Sequence, residues 1–119
     1  MKRTNVVTAM SDDIPKPFKR LVKKLTIENL WLYVLKYMIT KNEPIKAYEV
    51  VRYIRNTLPY KPATVTVYTV IYRLTREGLV DQVKVGGETL YKISDEGRKA
   101  FINAINFIRH ILDLLGKDV

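Results

Sequence analysis

A length of 119 residues allows one domain with a modest core and some appended segments. Twenty-one basic against 12 acidic side chains leave a formal charge of +9, a surplus that implies a polyanionic partner, nucleic acid first. The sequence has no cysteine, which excludes disulfides, thiol chemistry and cysteine-ligated zinc fingers. No apolar run approaches the roughly 18 residues of a membrane span. The opening MKRTNVVTAMSDDIPKP lacks the apolar centre of a signal peptide. A soluble, cytoplasmic protein with no membrane partner is expected.

In chain order, residues 1–17 mix Thr, Asn, Ser and Asp without a period, and Pro15 and Pro17 punctuate them; a flexible arm is expected. Phe18, Leu21, Val22 and Leu25 then form a short apolar stripe among basic residues, enough for one or two helical turns. Such a helix could hug DNA phosphates or cap the domain, and the sequence leaves both readings open. Thr26 is a plausible N-cap for the next helix, with Glu28 at its positive end. Ile27, Leu30, Trp31, Val34, Leu35, Met38 and Ile39 carry helical periodicity to about Lys41, making this the central core helix. Trp31 is either packed in that core or lines a small-molecule pocket shared with a partner's terminal helix.

Asn42-Glu43-Pro44 ends that helix, and a second follows over 47–58 with Tyr48, Val51, Ile54 and Leu58 inward. The prolines of Pro59-Tyr60-Lys61-Pro62 forbid a continuous helix. The next helix buries Val67, Val70, Ile71 and Leu74 and turns Thr64, Thr66, Thr69, Tyr72, Arg73 and Arg76 outward. An ordinary solvated helix face favours Glu, Lys and Gln; hydroxyls and guanidinium groups suit a major groove. Two helices across such a turn make a helix-turn-helix.

Gly78 ends the second of these helices, and two strands, 79–85 and 88–93, follow around Gly86-Gly87. A type I′ turn there pairs Val85 with Glu88, Val83 with Leu90, Asp81 with Lys92 and Val80 with Ile93. Ser94 caps a last helix with Asp95 and Glu96 in its first turn. Its stripe of Phe101, Ile105, Ile108, Leu112 and Leu115, widened by Phe107 and Leu114, exceeds what one small domain can cover. Residues 1–17 as arm, 18–93 as DNA-binding domain and 94–119 as dimerisation helix is the expected division.

Nothing in the sequence forms a catalytic constellation. His110 has no second histidine or carboxylate at ligand spacing, and Gly86-Gly87 is a hairpin turn, so neither a metal nor a phosphate-loop cofactor is expected. Four pieces in order resemble the PadR-type winged-helix transcription regulators. Ala47-Tyr48-Glu49-Val50 resembles that family's Gly-Tyr-Glu-Ile, and Thr66-Val67-Tyr68 its Thr-Leu-Tyr. Residues 74–80 (LTREGLV) resemble its exit into the wing, and 91–98 (YKISDEGR) its Tyr-x-Leu-Thr-x-Glu-Gly-Arg. Small archaeal winged-helix regulators are also similar. The resemblance implies a homodimeric DNA-binding repressor that dimerises through the terminal helix and in some members senses a small ligand.

The expected fold is therefore α+β and mostly helical, a winged helix-turn-helix with a two-stranded wing and a long C-terminal helix. Lys61, Thr64, Thr66, Thr69, Tyr72, Arg73, Arg76 and Lys84 are expected at duplex DNA. Phe101, Ile105, Phe107, Ile108, Leu112 and Leu115 are expected at a homodimer interface, and Trp31 is the candidate for a small-molecule effector pocket. A winged helix serving protein or RNA interaction is the alternative.

Overall fold

A computed structural model describes residues 13–119, so most of the expected arm lies outside the described residues. Helix α1 spans Lys16–Leu25, with Pro17 in the first turn, where a missing N–H costs little. It is longer than one or two turns, yet it buries no residue. Thr26 does not cap the next helix as expected. Its hydroxyl instead donates to the Val22 carbonyl at 2.6 Å, satisfying the end of α1. A 3₁₀ turn, Ile27–Asn29, therefore intervenes before α2, Leu30–Lys41.

Helix α2 buries Leu30, Val34, Leu35 and Met38, and is the centre of the core. Asn42 ends it in the left-handed region (φ 54°), and its side-chain oxygen accepts from Arg98 at 2.6 Å. Ile45 then exchanges two backbone hydrogen bonds with Tyr91, at 2.9 and 2.8 Å, laying a one-residue third strand beside the hairpin. Helix α3 spans Ala47–Thr57; the Glu49 carboxylate accepts the Lys46 backbone N–H at 3.0 Å and closes its first turn. Val50, Val51, Ile54 and Leu58 face the core. Tyr48, expected inward, is exposed, with the Arg52 guanidinium 5.1 Å from its ring centre. Val50 occupies the inward position instead.

Helix α4, Thr64–Arg76, buries Val67, Ile71 and Leu74 against α2 and α3. It stops as its sequence dictates. Gly78 takes φ +78°, the Leu79 N–H bonds to Leu74 at 2.9 Å, and the Gly78 N–H bonds to Thr75 at 3.2 Å. Strands β1, Val80–Val85, and β2, Glu88–Ile93, pair antiparallel in the expected register, with Val80 opposite Ile93 and Val85 opposite Glu88. Gly86 and Gly87 both hold positive φ, 56° and 83°, as a type I′ turn requires. The inner end of the hairpin is core, with Val80, Tyr91 and Ile93 buried, while its tip is exposed.

Helix α5, Asp95–Gly116, is the longest element, roughly 33 Å at 1.5 Å per residue. Ser94 caps it, accepting the Gly97 N–H at 3.0 Å. Gly97 is the only residue of α5 that is fully buried. Among the described residues, no helix is long and apolar enough to cross a membrane.

A side chain at residue 97 has nowhere to go: a Cβ would lie 2.1 Å from the Leu79 carbonyl oxygen and 2.8 Å from Ile93. Gly97→Ala is expected to lower stability by about 1–3 kcal/mol through overpacking, read as a shifted urea midpoint. Glu96→Ala, at an exposed neighbour, should change it by no more than about 0.5 kcal/mol.

Candidate nucleic-acid interface

The helix-turn-helix consists of α3, the connector 58–63 and α4. Leu58 and Pro62 anchor the connector in the core, and the Arg55 guanidinium donates to the Pro62 carbonyl at 2.5 Å. Lys61 reaches back to the Arg55 carbonyl at 2.9 Å, neutralising the C-terminal end of α3. The start of α4 is thus fixed by two cationic side chains rather than by a side-chain cap, which it lacks.

With Val67, Ile71 and Leu74 inward, Val65, Thr69, Tyr72 and Arg76 run down the opposite side of α4, flanked by Thr66 and Arg73. All are exposed, as is Thr64 in the first turn. The Thr69 hydroxyl donates to the Val65 carbonyl at 2.9 Å, so its methyl group and oxygen lone pairs are what it offers outward. Tyr72 stacks on Tyr68 (6.3 Å between ring centres) and leans toward Tyr91 of the wing (6.5 Å), and it stays half exposed. No hydrogen bond or ion pair to the side chain of Arg73 or Arg76 is present among the described residues.

Val65, 69% exposed, is the residue of this face that sequence reasoning missed. Its spacing to Thr69, Tyr72 and Arg76 is the i, i+4, i+7, i+11 of one helix line, and that was the available signal. At the wing, Lys84 donates to Thr89 across the strands at 2.6 Å, and remains exposed. Lys46 meets Glu88 at 3.2 Å, linking the start of α3 to the wing tip. That hydrogen bond, with the Glu88 charge, raises the Lys46 pKa above its ordinary value.

Elsewhere the sequence-derived sites separate. Trp31 is half buried and borders a cavity of about 650 Å³. Its opposite wall is the flank of α4 in the same chain, including Thr66, Thr69 and Arg73, with Ala100 of α5 at the edge. A second groove, of about 520 Å³, lies between α5 and the first helices, lined by Leu25, Tyr33, Tyr53, Phe101, Ile105 and Ile108 among others. Tyr33 donates to the Leu25 carbonyl at 2.5 Å there, and burial pushes its phenol pKa up. Phe101 packs on the chain's own core, Ile105 and Ile108 are half buried, and Phe107, Leu112 and Leu115 are 64–69% exposed. Among the described residues, no His, Cys, Asp and Glu cluster could hold a metal ion.

Solved structures share this architecture. A transcriptional regulator from Clostridium thermocellum superposes with a TM-score of 0.60 at 20% identity, covering 76% of this chain and 92% of its own. A PadR family transcription regulator from Clostridium difficile gives 0.52 at 16% identity, covering 71% and 97%. The fold is the winged helix of these regulators. SSV1 F-93 shares it as well, with a TM-score of 0.50 at 25% identity over 68% of this chain and 90% of that one. Neither a family model nor a curated protein matches the sequence.

The winged helix is aligned by Ser94, whose hydroxyl donates to the Gly78 carbonyl at 2.7 Å while accepting from Gly97. Ser94→Ala is expected to cost about 1 kcal/mol in unfolding free energy, the usual value of a lost cap. Amide hydrogen exchange should quicken at Gly97 before it quickens in α2.

Proposed function

We propose that this chain is a sequence-specific, duplex-DNA-binding regulator of transcription, a repressor that acts as a homodimer on an inverted repeat. The observation that carries this reading is the outward face of α4. It presents Val65, Thr69, Tyr72, Arg73 and Arg76 clear of the core, on a chain of charge +9. Arginine forks guanine edges, and valine or threonine methyls pack on thymine methyls. Thr64 and Thr66 flank the groove, and Lys61 and Lys84 contact phosphate on either side, since their ammonium groups keep protons beyond those already donated. The resemblance to regulators in fold supports the same reading, and such a protein works in the cytoplasm.

Arg73→Ala is expected to weaken the best site by about 1–3 kcal/mol and to relax preference at one base pair, if Arg73 reads a guanine. Sites selected from random duplex DNA, followed by gel shifts across a salt series, check this. Lys84→Ala should weaken all sequences alike and lower the log–log salt slope by about 0.9. Flat salt dependence, or preference for single-stranded RNA, would replace DNA readout with an interaction or RNA-binding role.

The homodimer reading rests on the far half of α5. Phe107, Leu112, Leu114 and Leu115 are 63–69% exposed, and they continue the groove at Ile105 and Ile108. Burial of such residues against a second copy is worth about 25 cal/mol per Å² before ordering costs. Phe101 serves the chain's own core, so it supports the interface from beneath. A two-fold axis through α5 would set two α4 helices on one face of the duplex, with half-sites roughly 34–36 Å apart or a multiple of that. A chain truncated after Asn103 should sediment as a monomer and lose two-site protection in footprints. A truncated chain that still dimerises would place the interface elsewhere. Small-molecule control completes the proposal, with Trp31 marking the site.

A further inference from the structure

We infer that the cavity beside Trp31 binds a zwitterion with a bulky apolar body, an apolar α-amino acid in the simplest case. The same ligand displaces DNA by occupying the flank of α4. The binding part stands on the cavity alone; the displacement part rests on the DNA-binding reading above.

The shape sets the size. About 650 Å³ is within the range of small-molecule sites, and its walls come from the 3₁₀ turn, α2, α4, the chain after α4, and α5. The lining is largely apolar, with Trp31 and Val70 backed by the buried Leu30 and Leu74. Trp31 is oriented there by an indole N–H bond to Asn29 at 3.3 Å. An aromatic or branched side chain would stack on that indole and displace water from the floor.

Charge then selects the ligand's polar end. Three charged side chains line the cavity: Glu28, Arg73 and Glu77. Glu28 is already paired with Lys24 at 2.7 Å. Arg73 and Glu77 make no hydrogen bond or ion pair through their side chains among the described residues. They lie one helical turn apart, Arg73 in the last turn of α4 and Glu77 at its C-cap, roughly 5–6 Å between Cβ atoms. A simple anion would pair with Arg73 but face Glu77, and a simple cation would meet the reverse penalty. A carboxylate and an ammonium on one carbon satisfy both.

The location makes the site a switch without any rearrangement of subunits. Thr66, Thr69 and Arg73 are at once the cavity wall and the flank of the DNA-reading face. An Arg73 guanidinium held by a ligand carboxylate is withdrawn from DNA, so the two partners compete within one protomer.

Fluorescence of the single tryptophan in the full chain tests the site without DNA. The probes are L-phenylalanine and L-leucine, each with its N-acetyl (anionic) and carboxamide (cationic) derivatives. Saturable change with at least one zwitterion, and binding about tenfold or more weaker for both its derivatives, is expected. In Glu77→Gln the N-acetyl form should gain on the zwitterion, while circular dichroism confirms the fold. No response to either zwitterion, or equal binding of all three charge forms, overturns the inference. A gel shift with saturating zwitterion should then show duplex affinity reduced about tenfold or more. Ligand binding that leaves duplex affinity unchanged overturns the displacement part. A chain that binds no duplex at all would refute the DNA-binding reading and leave the fluorescence result to decide the site.

Discussion

The crossing at Gly78, Leu79, Ser94 and Gly97 is the constraint on which the rest of the molecule depends. Leu79 gives its N–H to the end of α4 and its carbonyl to the Ser94 N–H at 3.1 Å. The Ser94 hydroxyl donates to Gly78 and accepts from Gly97. Four residues thereby stop α4, close the base of the wing and start α5. Gly97 allows the approach, because any Cβ would collide with the Leu79 carbonyl. Helix α4, the wing and the terminal helix consequently share one anchor, and hydrogen bonds at that crossing tie each to the others.

That anchor determines which surfaces remain available. Since α4 is held at its C-terminal end by the crossing and at its N-terminal end by Arg55 and Lys61, its outward face is presented rigidly. The wing is steadied from the other side, where Ile45 pairs with Tyr91 and Lys46 with Glu88. Beyond Ile108 the constraint fades: among the described residues, nothing covers Phe107, Leu112, Leu114 and Leu115 of α5. The fixed outward face of α4 and the uncovered end of the terminal helix are two consequences of one arrangement, with the core spent on holding α4.

Much of this was legible in the sequence. The glycines announced their own conformations: Gly78 and the Gly86-Gly87 pair need positive φ, which fixed the helix end and the hairpin register without any tertiary information. The periodicity of α2 and the cap at Ser94 were equally local. Helix α4 was harder, because TVTVYTVIY is rich in β-branched and aromatic residues; there, core contacts on one side override weak local preference.

The sequence by itself determined the order of the main helices and strands, the turn geometry, the wing pairing and, Val65 apart, the outward face of α4. Each of these depends on residues close in the chain or on a fixed period. Only the tertiary structure decided the rest. Thr26 serves α1 instead of α2 because a free carbonyl lies within reach of its hydroxyl. Tyr48 lies outside because Val50 takes the inward position on α3. Trp31 faces α4 of its own chain, where the cavity borders the outward face of that helix. These outcomes depend on which elements meet in space, and no spacing along a chain records the distance between two helices.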